Sequence, residues 1–495
     1  MSNLSGLIKR FRDIMRMDPG ISGDAQRIEQ ISWLLFLKIY DSRESDWEFV
    51  EDDYKSIIPE EFRWKNWAKS EKTSTNKPPT GDKLLRFVNE ELFPALKKLP
   101  VDANTPVKKS IVRTVFEETN QYMKDGVQLR KLIDDIDAID FNNPEDSHAF
   151  GEIYEIFLKE LQSAGSAGEF YTPRAVTDFI AEKINPKLGE VCADLACGTG
   201  GFLTSWLKVL ESKTDKSTEK DRQDFENSVY GVEKKQFPYT LCVTNILLQE
   251  IDNPKIFHGN SLERKILDIT DDEKFDVIMM NPPYGGSEKE GIVNGFPKDI
   301  RSSETADLFM NVIMYSLKEN GRAAVVLPDG FLFETSGAKF NIKSKLLKDF
   351  NLHTVIRLPG SVFAPYTSIT TNILFFDKTG ETKETWFYRL DMPEGYKNFS
   401  KTKPMMREHF KPVDEWWDNR VEIQDDKGAW KSKKYSASEI LAKGCSLDLC
   451  GLPTDVKIIL SPEDTMQNFI TRRNELDRII DGKIDEIRAL LEVRR

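Results

Sequence analysis

The sequence predicts an α/β protein: a doubly wound, mostly parallel sheet with an antiparallel edge strand, set between an N-terminal helical domain and a long C-terminal helix. Three observations predict it. From about Phe170, short β-type runs alternate with helical ones, and strands separated by helices imply crossover connections. Before that point apolar residues recur at helical spacing only. At the chain's end they recur every three or four residues among charges, as in a coiled-coil helix.

In the first region, 1–165, Leu7, Ile8, Phe11, Ile14 and Met15 repeat at helical spacing, as do Ile28, Ile31, Leu34, Leu35 and Ile39. The polar, proline-bearing stretch Ser70–Thr80 reads as a loop within it. Candidate strands in the second region, 166–385, are Val191–Leu195, Ser228–Val232, Ile256–His258, Phe275–Met280, Ala323–Leu327, Thr354–Leu358 and Thr371–Phe376. The last of these follows Leu358 after a loop too short for a helix, so it is assigned as the antiparallel edge. The charged run Lys213–Asp224 reads as a solvated excursion. Residues 386–460 show no clear repeat and read as a C-terminal extension. From 461 a Ser-Pro-Glu-Asp start opens an amphipathic helix carrying Met466, Phe469, Ile470, Leu476, Ile480, Ile484, Ile487 and Leu491. Such a stripe suits packing on its own domain and docking on another subunit equally.

The 495 residues suffice for two or three domains, and 39% hydrophobic with 31% charged residues describes a globular chain. No apolar run reaches the roughly 20 residues that span a bilayer. The start, MSNLSGLIKRFRDIM, lacks the apolar block of a signal peptide, so a cytoplasmic protein is expected. The five cysteines form no C-x-x-C pair, and the four histidines form no H-E-x-x-H, which argues against disulfide frameworks, zinc sites and metal hydrolysis. No metal site is expected. A net charge of -12 is the wrong sign for a chain that grips DNA phosphates unaided, and it points to a partner.

Four strand ends carry the chemistry. Asp194-Leu195-Ala196-Cys197-Gly198-Thr199-Gly200-Gly201 leaves the first strand and opens a helix, where glycines let a ligand approach the backbone. Alone, this turn fits a dinucleotide site as well; Cys197 reads as an apolar filler. The second strand ends at Glu233, an acidic residue placed to accept from ribose hydroxyls. The third ends at Gly259-Asn260-Ser261, where a polar contact to a nucleoside base fits.

The fourth strand runs FDVIMM and stops at Asn281-Pro282-Pro283-Tyr284. An amine on an aromatic ring is a poor nucleophile because its lone pair is delocalised. The Asn281 side-chain oxygen and the Pro282 carbonyl offer two acceptors that stabilise the charge developing on such a nitrogen. Pro282 and Pro283 fix φ and hold both oxygens in place. Tyr284 supplies a face on which an unstacked base can lie.

With these motifs in place, the chain resembles the S-adenosylmethionine-dependent N6-adenine DNA methyltransferases, and more narrowly the modification (M) subunits of type I restriction–modification systems. The resemblance covers essentially the whole chain. It includes Gly168–Arg174 (GEFYTPR), Thr305–Phe309 (TADLF) and Gly321–Phe333. It implies a Rossmann-like class I methyltransferase domain. It further implies a cofactor held by Glu169, Phe170, Tyr171, Thr172, Pro173, Arg174, Asp194, Gly198, Thr199, Gly200, Glu233 and Asn260, with Asn281–Tyr284 holding a flipped adenine. Asn260 stands where many of these enzymes have Asp; an amide both donates and accepts. The implied partners are DNA, a specificity (S) subunit, a second M subunit and, in the full complex, a restriction (R) subunit. No phosphate-loop motif for a helicase is present. Rival readings are a protein glutamine methyltransferase, a DNA methyltransferase acting without a specificity partner, and a non-catalytic nucleotide-binding module.

Overall fold

The computed structural model describes residues 4–69, 77–139, 154–155, 158, 171–451 and 462–492. The chain divides into two compact units, 1–451 and 452–495.

The N-terminal region is helical, as expected. Helices Leu4–Arg16, Asp24–Val50, Val107–Phe116 and Gly126–Asp137 bury the stripes read from the sequence: Leu7, Phe11, Met15, Ile28, Ile31, Leu35 and Ile39 are all buried. The first helix ends where Asp18-Pro19-Gly20 cannot continue it. The buried Asp18 carboxylate accepts there from the backbone N–H of Gly20, Lys124 and Asp125, tying distant segments together. An aromatic cluster of Trp33, Phe93 and Phe116 fills the core at centroid separations of 5.0 and 5.2 Å. This region packs on the helix Gln236–Leu248, whose Gln236 Nε2 donates to the carbonyls of Thr114 and Val115.

All seven expected strands form. They are β1 (Cys192–Asp194), β2 (Val229–Glu233), β3 (Ile256–His258), β4 (Phe275–Met280), β5 (Leu317–Pro328), β6 (Asn351–Arg357) and β7 (Thr371–Asp377). Three more follow: β8 (Glu384–Arg389), β9 (Ile423–Gln424) and β10 (Trp430–Ser436). The sheet order is β3-β2-β1-β4-β5-β7-β6-β8-β10-β9. Strands β3 to β5 are parallel throughout, while β7 runs antiparallel to both β5 and β6.

Two expectations change. The run TNILFF is antiparallel but not an edge: β7 lies between β5 and β6, and Ile373, Leu374, Phe375 and Phe376 are all buried. An unbroken apolar run covered on both faces marks an interior strand, whereas an edge would alternate. The antiparallel edge is formed by β10 and β9 instead. The expected boundary after residue 385 falls inside β8, and residues beyond it extend the same sheet. Within the charged excursion, Glu219–Glu226 forms a surface helix anchored by the buried Phe225. The second unit is the helix Pro462–Glu492, on which Met466, Phe469, Leu476 and Ile480 are more than half exposed. Among the described residues no helix is long and apolar enough to cross a membrane.

Candidate active site at the carboxyl rim of the sheet

The chain leaves β1 in one direction toward β2 and β3, then returns to place β4 on the other side of β1. Such a reversal opens a crevice beyond the carboxyl ends of the strands. A cavity of about 300 Å³ occupies that place, between the ends of β1, β2, β3 and β4.

At its floor Asp194 ends β1, with its carboxyl buried and Oδ1 accepting from Ala196 N at 3.2 Å. Burial, aided by the nearby Glu233 charge, pushes its pKa up to about 8. The turn that follows bends back through Gly198 and Gly200, both at positive φ (52° and 80°). A Cβ on Gly200 would also meet Cys242 Sγ at 2.9 Å, so only glycine fits. Asn245 Nδ2 donates to Thr199 O at 3.0 Å, clamping the turn to the helix Gln236–Leu248. Cys197 is buried as expected, with its sulfur 3.6 Å from that of Cys242.

Glu233, at the end of β2, accepts from Gly198 N through Oε2 (2.9 Å) and from Lys235 N through Oε1 (2.8 Å). Burial raises its pKa. Beyond β3, Asn260 Oδ1 accepts from Leu262 N at 3.1 Å, while its buried Nδ2 finds no hydrogen-bond partner among the described residues. An orphaned donor in a cavity wall is a place for a ligand acceptor.

Residues Val277–Met280 of β4 are fully buried and deliver Asn281 to the rim. Its Nδ2 donates to Thr172 Oγ1 at 3.1 Å, and its Oδ1 accepts from the Tyr284 hydroxyl. The Tyr284 ring packs edge-on against Phe363 at 6.0 Å, and burial holds its hydroxyl well above the usual tyrosine pKa. Gly285 and Gly286, both at positive φ, turn the chain back over the mouth. There Lys234 Nζ and Glu288 Oε1 pair at 2.6 Å.

The cavity thus gathers Tyr171, Thr172, Asp194, Gly198, Thr199, Glu233, Asn260 and Asn281–Tyr284 from segments more than 100 residues apart. Gly200 does not line it, and neither do Pro173 and Arg174. Arg174 faces a separate depression beside Met405 and Arg407, where its guanidinium pairs with Glu155. Glu169 and Phe170 lie outside the described residues. Sequence reasoning missed Phe363 and Tyr366, which line the cavity from the loop between β6 and β7, and Lys234 and Glu288 at its mouth. No motif marks them. Thr305 and Phe309 also line it, and they belong to the TADLF run that carried the resemblance.

Comparison with known proteins accords with this geometry. Residues 145–450 match the N-6 DNA Methylase family and residues 4–136 the HsdM N-terminal domain. The chain is 45% identical to the EcoEI type I restriction enzyme methylase subunit of Escherichia coli, over 99% of this chain and 98% of that one. It belongs to the type I methylase subunits. Among solved structures, a modification subunit of a putative type I restriction enzyme from Vibrio vulnificus YJ016 superposes with TM-score 0.76 and 39% identity, over 89% of this chain and 93% of the other. A chain from a study of assembly and conformational transition in the type I system gives TM-score 0.80 and 33% identity, over 100% and 99%. The methylase match runs to residue 450, consistent with a sheet that continues past 385.

Proposed function

We infer that this methylase subunit transfers a methyl group from S-adenosylmethionine to the N6 amine of adenine in double-stranded DNA, as the modification subunit of a type I restriction–modification complex. The observation that carries the reading is Asn281: its amide projects from the tip of β4 into the cavity that also holds Asp194, Glu233 and Asn260.

The residues fit the cofactor. Two carboxylates and an unpaired amide donor line the wall where a nucleoside and a cationic amino acid would lie. When bound, S-adenosylmethionine supplies an activated methyl on a sulfonium. The chain's own groups do the rest. Glu233 accepts from ribose hydroxyls, Asp194 offers negative charge, and Asn260 Nδ2 donates to the base. Asn281 Oδ1 and the Pro282 carbonyl accept from the adenine amine, easing its nitrogen toward tetrahedral geometry. With the cofactor held against this wall, Asn281 and Pro282 would align the amine nitrogen with the activated methyl, and the surplus N–H proton would pass to solvent.

The net charge of -12 supports a division of labour in which an S subunit supplies sequence recognition. The exposed apolar stripe of Pro462–Glu492 supports docking in an assembly holding the S subunit and a second M subunit. Cleavage then belongs to an R subunit. The test uses the complex co-expressed with its specificity subunit, labelled cofactor and duplex DNA. Label should appear in DNA as N6-methyladenine and vanish with Asn281→Ala. Label on protein glutamine instead would overturn the reading, and specific methylation by the subunit alone would overturn the partner assignment.

A further inference from the structure

The Tyr-Thr-Pro element that precedes the helix Arg174–Ile184 reaches the cavity chiefly through Thr172, and there it meets the catalytic amide directly. We propose that Thr172 is a positioning residue for methyl transfer: its hydroxyl accepts from Asn281 Nδ2 and so holds the amide with Oδ1 toward the substrate amine. This rests on the reading of Asn281 given above.

The two ends of a carboxamide are nearly equal in shape but opposite in hydrogen-bonding sense. The target amine presents N–H groups, so only the oxygen end of Asn281 can stabilise it; the NH₂ end would repel it. With the oxygen committed to the substrate, Nδ2 needs an acceptor of its own inside a closed site. Thr172 Oγ1 is that acceptor, at 3.1 Å. The opposite contact agrees: Oδ1 accepts a hydrogen bond from the Tyr284 hydroxyl, in the sense in which it would accept one from adenine.

The threonine is itself held firmly. Tyr171 before it is buried, and Pro173 after it restricts Thr172 to extended backbone. The element is therefore a rigid post set 109 positions away in sequence from the amide it supports. Prolines 282 and 283 fix the backbone of Asn281, and Thr172 fixes its side chain.

The test uses the DNA-competent complex and separates cofactor binding from turnover. Thr172→Val keeps the shape and removes the acceptor. It should lower kcat by about 10- to 100-fold, with the Kd for S-adenosylmethionine within about twofold. Thr172→Ser should recover turnover to within about threefold of the natural protein. If Thr172→Val unfolds, Thr172→Ala against Thr172→Ser makes the same comparison. A rise in cofactor Kd with kcat unchanged would make Thr172 a cofactor ligand and overturn the proposal, as would full activity in the valine and alanine variants. Asn281→Ala runs beside them. Activity surviving in Asn281→Ala sinks the reading of the site; its loss together with a silent Thr172→Val sinks only the role of Thr172.

Discussion

The hydroxyl of Tyr284 donates to Oδ1 of Asn281, the atom that the proposed function makes the acceptor for the substrate amine. In this state the aromatic residue that would stack on the flipped base instead occupies the base's hydrogen-bonding partner. On the proposed function, this hydroxyl would have to release Oδ1 before an adenine amine could bond there. Tyr284→Phe removes the competing donor and keeps the ring. Its kcat/KM for DNA should equal or exceed that of the natural protein, while Tyr284→Ala should lose about tenfold or more with the stacking surface. Steady-state methylation assays distinguish them. Equal losses in both variants would give the hydroxyl a catalytic part.

On the proposed function, Asp194 would link cofactor affinity to pH. Its carboxyl, with a pKa near 8, is largely protonated at neutral pH in the protein alone. A cationic ligand needs it ionised, so affinity for S-adenosylmethionine should rise between pH 6 and 8.5 as the proton is lost. Stability runs the other way. A carboxyl whose folded pKa lies above its unfolded value favours the fold at low pH, and this contribution is lost as pH rises through about 8. Asp194→Asn should therefore flatten the pH profile of binding, weaken it about tenfold or more, and melt higher than the natural protein at pH 8.5. Calorimetric titration and thermal melts across pH check both halves.

The Lys234–Glu288 pair bridges two segments at the cavity mouth, one directly after Glu233 and one following Asn281–Tyr284. Lys234 is 55% exposed, so the pair is screened and its worth is small, about 0–1 kcal/mol. Glu288→Gln should raise the cofactor dissociation rate about two- to fivefold at low salt, with the difference fading at high ionic strength. Stopped-flow displacement measures it. A salt-independent change would point to lost packing instead.

Arg389 ties β8 to the β9–β10 hairpin. Its buried guanidinium donates to Asp391 at 2.8 Å and to Asp425 at 2.6 Å. Truncation removes the cation that Asp391 and Asp425 share, leaving Asp391, among the described residues, only Lys431 at 3.8 Å. Arg389→Ala should lower the urea midpoint, chiefly through the packing lost around the buried Arg389 stem, because both carboxylates keep solvent contact. An unchanged midpoint would mean that residues beyond 420 are not held through this contact.

Much of the cavity lining was legible because it sits at strand ends. The glycine turn, Glu233, Asn260 and Asn281 each follow a recognisable apolar run, and a parallel sheet puts all those ends on one rim. Arg174 misled for the converse reason. It opens the helix two residues beyond Thr172, and its guanidinium pairs with Glu155 beside a separate depression. Phe363 and Tyr366 had no local signal, since nothing in residues 358–370 records which cavity that loop will cover.

By itself, then, the sequence determined the first seven strands, the helical stripes and the residues at the strand ends, because apolar periodicity and turn chemistry are local properties of the chain. Tertiary structure decided the rest. It inserted β7 between β5 and β6, carried the sheet on through β10, and brought Thr172 against Asn281. Those outcomes depend on which buried faces find each other across long separations, and no stretch of residues encodes its partner alone.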